Sequence, residues 1–366
     1  MNRAQSILVL VLCLATNSHV WAATPPALEP AEVDAVVDKL VADLDDYVFP
    51  DVAKNVQSEL QSHRGDYRAI VSPTALADRL TADMRAVGHD KHLAVSFGEE
   101  LGVRKTPTPD EQQQAHNYDT AMGHGLRSVR RLPGNVGYLD LAYFSPDPDA
   151  GAELAAAMQL VSGCSALIID LRRNGGGSGG SANTLLSYFF SEEVQLPSAI
   201  EKDDGRTVER QHWTSPYVAG PRFLTRTVYV LVGPHTHSAA ELFAYVLKTT
   251  HRGVIVGEPT SGDATSSNGE LDLGYGFTAF IANGQIISPI THTNWLNAGV
   301  QPDIATSSGL ELTTAYKMAL DGVAVATMSA DLVKERAKAS ADPAAALAEE
   351  LTDFPTGEAA PQAAAR

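Results

Sequence analysis

The chain has 366 residues, 44% hydrophobic and 19% charged, a globular composition with room for one large or two ordinary domains. A formal charge of −17 argues against nucleic acid and anionic membrane surfaces as partners. With only Cys13 and Cys164, neither a multi-cysteine metal site nor a disulfide framework is available.

Residues 1–22 pair Arg3 with the apolar run Ile7 to Leu14 and end in Val20-Trp21-Ala22, the pattern of a secretory signal peptide cut near Ala22. The run is too short to span a bilayer, so the mature chain is expected to be soluble and periplasmic or secreted. After Pro25, Pro26 and Pro30, the spacing of Val33, Val36, Val37, Leu40, Val41 and Leu44 predicts a helix. Asp45 to Pro50 breaks it, Val52 to Leu60 resumes, and Ser72-Pro73-Thr74 opens a further helix through Leu76, Leu80 and Met84. Residues 31–100 are therefore expected as an N-terminal helical domain, and 101–133 as a polar linker.

From residue 134 the rhythm changes. Gly137 to Leu141 reads as a strand, Ala152 to Val161 as a helix and Ala166 to Leu171 as a buried strand; Val228 to Val232, Ala239 to Leu247 and Val254 to Val256 repeat the pattern. This alternation implies an α/β core over 134–320, with βαβ crossovers around a largely parallel inner sheet. Phe277 to Ile287, turning at Asn283-Gly284, is expected to add a hairpin. Residues 321–366 read as an Ala-rich tail that frays toward Arg366.

Three elements place polar groups beside predicted strands, where α/β folds present reactive groups. Asp170-Leu171-Arg172-Arg173-Asn174-Gly175-Gly176-Gly177 can turn backbone N–H groups toward an anion. A phosphate loop is the competing reading, but no Gly-Lys-Ser/Thr follows. Ser238 lies between the strand ending at Val232 and the helix opening at Ala239, where the helix dipole favours a developing oxyanion. Read alone, Ser238 is equally a helix cap, with Glu241 completing a capping box. His92, in Asp90-Lys91-His92-Leu93, can accept a proton near neutral pH, though any one of 11 histidines can also be a surface residue.

In combination these blocks resemble the tail-specific, C-terminal-processing serine peptidase superfamily. Asp170 to Gly177 is followed in order by Ser238 to Tyr245, Val256 to Gly262, Ser288-Pro289-Ile290, Asn294-Trp295 and Gly299 to Ile304. The helical segment at 31–88, and the lack of room for a PDZ domain between Phe97 and Gly134, resemble the branch of interphotoreceptor retinoid-binding protein.

The resemblance implies Ser238 as nucleophile, the N–H groups of Ala239 and Gly176 as oxyanion hole, and His92 as base, as in tricorn-like members. The lysine base of Ser-Lys members would fall 25 positions after the serine, on Asp263, and is excluded there. The glutamate of the tricorn-like Asn-Trp-Glu block is replaced by Leu296. Glu241, Glu258, Asn297 or Asp90 could orient His92 only if the fold brings one near. His235 and His237, so close to Ser238 along the chain, are expected to be structural or solvent-facing. No metal or cofactor is expected.

The implied function is an exported serine-type peptidase acting on a peptide or protein substrate through a Ser238 acyl-enzyme. The alternative is a non-catalytic protein that binds a peptide or apolar ligand on the same fold, favoured by Leu296 and Asp263.

Overall fold

The computed structural model describes residues 27–98, 108–203, 206–266, 269–322 and 328–351. The expected signal peptide at 1–22 lies outside them. At its centre is a six-stranded sheet in the order β13-β8-β7-β4-β3-β2. Its strands are β2 (Leu126–Leu132), β3 (Val136–Leu141), β4 (Ala166–Asp170), β7 (Val228–Val232), β8 (Val254–Gly257) and β13 (Ile304–Ala305). All neighbours are parallel except β2, which runs antiparallel to β3.

Alternation along these strands explains why they read as unbroken apolar runs. Leu139, Leu141, Leu167, Ile169, Val228, Val230 and Val232 face one helical layer, built from α6 (Ala150–Val161), α7 (Gly179–Leu186) and α8 (Ala239–Thr249). Tyr138, Ile168, Tyr229, Leu231 and Val256 face the other, built from α9 (Glu311–Gly322), α10 (Ala330–Ala341) and α11 (Pro343–Leu351). A parallel sheet buried on both sides needs apolar residues at every position.

The N-terminal unit contains α1 (Pro30–Asp43), α2 (Pro50–Ser62), the short α3 (Arg64–Tyr67), α4 (Pro73–Gly88) and β1 (Ala94–Phe97). Its core is not its own. β1 pairs antiparallel with β11 (Phe277–Phe280), which pairs in turn with β10 (Glu270–Gly274). Leu273, Phe277, Ala279 and Ile281 join Val36, Leu40, Leu60, Leu80 and Met84 in one buried cluster. Lys202 adds a polar tie, donating to the Tyr47 carbonyl at 2.7 Å.

Three expectations need correcting. The predicted linker at 101–133 contains α5 (Pro109–Ala121), opened by a Thr108/Glu111 capping box, and all of β2, an edge strand of the central sheet. The Ala-rich tail contains two helices, Ala330–Ala341 and Pro343–Leu351, because Ser329 caps α10 and Pro343 opens α11; the expected fraying toward Arg366 lies outside the described residues. Glu335 of α10 fastens these helices to the β2–β3 turn through Arg131 and the Gly134 N–H.

The third correction concerns Asn283-Gly284, which does not turn a hairpin. β12 (Gly284–Ile287) leaves for a second sheet, in the order β6-β5-β12-β9, with β5 (Gln195–Asp203), β6 (Arg206–Trp213) and β9 (Thr265–Ser266). Asn283 donates its side-chain amide to the Lys202 carbonyl and accepts the Lys202 N–H, so it docks β12 on β5. The hairpin that does form is β10–β11, where Tyr275 and Gly276 both have positive φ.

Phe277 is fully buried at the shared seam, its ring 4.9 Å from that of Phe97. Phe277→Ala is expected to cost about 3–5 kcal/mol. In urea the midpoints followed by far-UV circular dichroism, which sees the N-terminal helices, and by the fluorescence of Trp295, in the core of the central sheet, should fall together if the shared seam makes the two parts unfold as one.

Candidate active site

The turn from β7 into α8 carries Ser238, and each of its neighbours is pinned. The Thr236 hydroxyl donates to the Leu171 carbonyl at 2.8 Å, and the His237 N–H donates to the Asn174 carbonyl at 3.0 Å. Ser238 itself has φ 48° and ψ −115°, a backbone conformation that a non-glycine residue adopts only under constraint, as reactive residues at strand-to-helix turns do. It is half-buried at the positive end of α8, where the Ala239 N–H has no acceptor among the described residues.

The glycine loop packs directly on this turn. A Cβ on Gly176 would sit 2.8 Å from Ser238 Cβ and 2.9 Å from the His237 carbonyl oxygen, so no other residue fits. The two arginines of the loop are already committed: Arg172 to Asp170 and Glu311, Arg173 to Asp140. That leaves no free cation for a phosphate on this loop.

The hydrogen bonds of the loop leave a different N–H available from the one expected. Gly176, expected as a donor, gives its N–H to Asn174 Oδ1 at 2.8 Å. Asn174 is fully buried and anchored to the Leu141 carbonyl. The next residue, Gly177, has φ +114° and an N–H without a hydrogen bond among the described residues. Its neighbours Gly176 and Ser178 bond to Phe144 on one side, which turns the Gly177 N–H to the other.

Glu241 organises the region. Its side chain is completely buried, and its oxygens accept the N–H groups of Ser238 (2.9 Å), Gly262 (2.7 Å) and Asp263 (2.9 Å) and the Thr260 hydroxyl (2.5 Å). Burial raises its affinity for a proton; the bonds from Thr260, Gly262 and Asp263 oppose that without cancelling it. Glu241 thus holds the 260–263 loop against the Ser238 turn and makes no hydrogen bond to His92.

That loop brings in His92. Lys91 donates to the Ser261 carbonyl at 2.7 Å, and His92 Nδ1 lies 2.6 Å from Thr265 Oγ1 and 3.4 Å from Asp90 Oδ1. The ring stacks on Phe280 with centroids 5.7 Å apart. With Nδ1 occupied, Nε2 is the nitrogen left to act. Burial disfavours the imidazolium, but Asp90, with Asp263 and Glu241 behind it, outweighs burial and raises the His92 pKa above 6.5. Among the described residues no hydrogen bond joins His92 to Ser238.

Of the carboxylates and amides considered beside His92, Asp90 is the one that lies near its ring, 3.4 Å from Nδ1. It is 4% exposed, accepts the His92 backbone N–H at 2.9 Å and the Tyr47 hydroxyl at 2.9 Å, and stays ionised below its usual range because His92 and Tyr47 outweigh its burial. The Glu258 and Asn297 side chains make no bond to His92; their backbone N–H groups go to Val232 and Gly262. Leu296 packs partly buried against the apolar core.

His237, expected to be structural or solvent-facing, points its Nδ1 at Asp263 Oδ2, 2.7 Å away. Burial would raise Asp263, yet His237 and Ser261 hold its pKa to about 2. This pair bridges residues far apart in sequence, and no motif announces it.

Residues 135–306 match Peptidase family S41, and residues 30–123 match the family described as the N-terminal domain of Peptidase_S41 in eukaryotic IRBP. A carboxyl-terminal-processing protease of Synechocystis sp. is 31% identical over 55% of this chain and 48% of its own length. The tail-specific protease of Haemophilus influenzae is 32% identical over 27% of this chain and 13% of its own. The chain thus spans about half the length, or less, of the curated relatives it matches. A solved structure from Parabacteroides merdae is similar in fold at 19% identity, with a TM-score of 0.54 over 78% of this chain and 93% of that one. A lipoprotein from Streptococcus agalactiae gives 0.53 at 14% identity, over 82% and 98%.

Glu241→Ala would strand three buried N–H groups and is expected to cost at least about 3 kcal/mol. Denaturant unfolding of the variant measures it, and limited proteolysis should then open the chain within 258–265.

Proposed function

Since the chain belongs to peptidase family S41, we propose that it is an exported serine-type peptidase that cleaves peptide bonds through Ser238. The observation that carries this reading is the constrained backbone of Ser238 at the N-terminus of α8, with Gly176 pressed against it. A residue that only capped the helix would need neither.

In the proposed reaction Ser238 Oγ attacks the scissile carbonyl carbon as His92 Nε2 takes its proton. The carbonyl oxygen gains the negative charge and is held by the N–H groups of Ala239 and Gly177. His92 passes the proton to the departing amine, and water, deprotonated by His92, then releases the acyl group from Ser238. The Nδ1–H donates to Thr265 Oγ1, 2.6 Å away, and Asp90, 3.4 Å from Nδ1, stabilises the imidazolium. The missing His92–Ser238 bond forms as substrate closes the site, since such bonds are often long in free enzymes. A peptide adds as a strand along β9, the end strand of its sheet, whose Thr265 touches His92.

Export is read from the first 22 residues; among the described residues no helix is long and apolar enough to cross a membrane. The alternative of a non-catalytic binding protein rests on Leu296 and Asp263, and Asp90 supplies a carboxylate of the kind whose absence favoured it.

A fluorophosphonate probe should label wild type and not Ser238→Ala. His92→Ala should label about 10²–10⁴-fold more slowly. No labelling of wild type, beside a serine hydrolase that labels, supports the binding protein instead; loss with His237→Ala but not His92→Ala moves the base to His237.

The base must be neutral to act, and its pKa is raised. Activity should therefore climb as pH rises through a midpoint above about 6.5. Asp90→Asn removes the group that raises it, so kcat/KM should fall while the midpoint moves to lower pH. An unmoved midpoint would remove Asp90 from this role.

A further inference from the structure

A second cluster of histidines and carboxylates lies outside the candidate active site. His116 is on α5, His124 is in the turn that follows α5, and Asp147 and Asp149 are in the loop between β3 and α6. The ligand atoms of His116, Asp147 and Asp149 all lie within 4.8 Å of one another.

His124 supplies an independent reason to look for a ligand. It is 6% exposed, yet neither ring nitrogen has a hydrogen-bond partner, an arrangement that costs free energy in a buried imidazole. Its Nε2 lies 3.5 Å from Asp147 Oδ1, while His116 Nδ1 lies 2.8 Å from Asp147 Oδ2. The turn holding it is a run of three positive-φ residues, Gly123, His124 and Gly125.

The partners of Asp147 are also fixed. The Asp149 N–H donates to Asp147 Oδ1, the Asp147 N–H donates to Ser145 Oγ, and the Ser145 hydroxyl donates to buried Asp119. Asp119 accepts the Tyr143 hydroxyl as well, so its carboxylate is occupied by neutral donors and is not part of the ligand set.

We propose that His116, His124, Asp147 and Asp149 form a binding site for a divalent transition-metal cation of the zinc type. Two imidazoles and two carboxylates suit zinc or cobalt and are a poor set for magnesium or calcium, which take oxygen ligands. His116 and Asp147, 2.8 Å apart, are already near the roughly 3.3 Å edge of a tetrahedron with bonds of about 2.0 Å, and His124, outside the three-residue group but 3.5 Å from Asp147 Oδ1, completes the set by a small movement of its ring. Bound there, the cation ties α5 to the loop beginning at Phe144, whose N–H and carbonyl hold Gly176 and Ser178. It would stiffen the glycine loop from behind without touching substrate.

The test uses the full chain, free of any histidine tag and stripped with a chelator. Titration with Co²⁺, followed by its visible ligand-field bands, and with Zn²⁺, by calorimetry, should show one equivalent bound and a raised Tm. Magnesium at the same concentration should do neither. His116→Ala, at the half-exposed end of the cluster, and His124→Ala should each weaken binding at least about ten-fold. His92→Ala and His237→Ala should bind as wild type does. Circular dichroism establishes that each variant is folded; should His124→Ala unfold, His116→Ala decides alone. The proposal is overturned if wild type binds no cation, if His116→Ala binds as tightly as wild type, or if His92→Ala or His237→Ala abolishes binding, which would put the cation beside Ser238.

Discussion

A single buried carboxylate joins the two halves of the candidate site. Glu241 sits one turn into α8, and its oxygens gather N–H groups from Ser238 on one side and from Gly262 and Asp263 on the other. Backbone donors inside a protein must find acceptors, and here one side chain meets three of them. The loop that follows β8 is held in this way against the turn that follows β7. Everything attached to that loop, including the Lys91 and Thr265 contacts that steady His92, is positioned through it. Glu241 would also fit a simple capping box in any helix; what sets it apart is its complete burial and the number of bonds it accepts.

The second constraint is close packing around the nucleophile. Gly176 leaves no room for a Cβ against Ser238, and Asn174, buried beneath it, uses its amide to anchor the loop and its oxygen to take the Gly176 N–H. The loop therefore divides its labour: Gly176 permits contact and Gly177 keeps a donor available. Ser238 is held in a conformation it would not choose alone, and the bonds of Thr236, His237 and Glu241 around it supply the compensation.

The core strands were legible in the sequence because both faces of β3, β4, β7 and β8 are buried, which leaves continuous apolar runs. Ser238 and the glycine loop were legible because strand-to-helix turns have strong local chemistry. What escaped notice depended on partners far along the chain. Asn283-Gly284 has the composition of a hairpin turn, but Lys202 claims Asn283 and draws β12 into another sheet. The choice between Gly176 and Gly177 turns on where Asn174 points, which no spacing reveals. His237 and Asp263 are 26 positions apart and meet only because Glu241 folds the intervening loop back. The Ala-rich C-terminal segment lacks a clear period because α10 and α11 bury only a few residues, Ala339, Ala346 and Leu347 among them.

The proposed role of His92 as base is consistent with the field in which it sits. Asp90, Glu241 and Asp263 place three carboxylates around His92, and their joint effect is to favour the cation there in spite of burial. A lysine in this field would be driven further toward its charged form and would have no lone pair to offer near neutral pH. A histidine starts from 6.5, several units below a lysine, so the same field leaves it far easier to deprotonate. Aspartate at position 263 and the proposed histidine base thus fit one electrostatic setting, in which a lysine would stay charged. Leu296 fits the same logic. With Asp90 two residues from the base and bonded to its backbone, a further carboxylate from the Trp295 loop would add charge without adding orientation, and an apolar side chain packs better against the core.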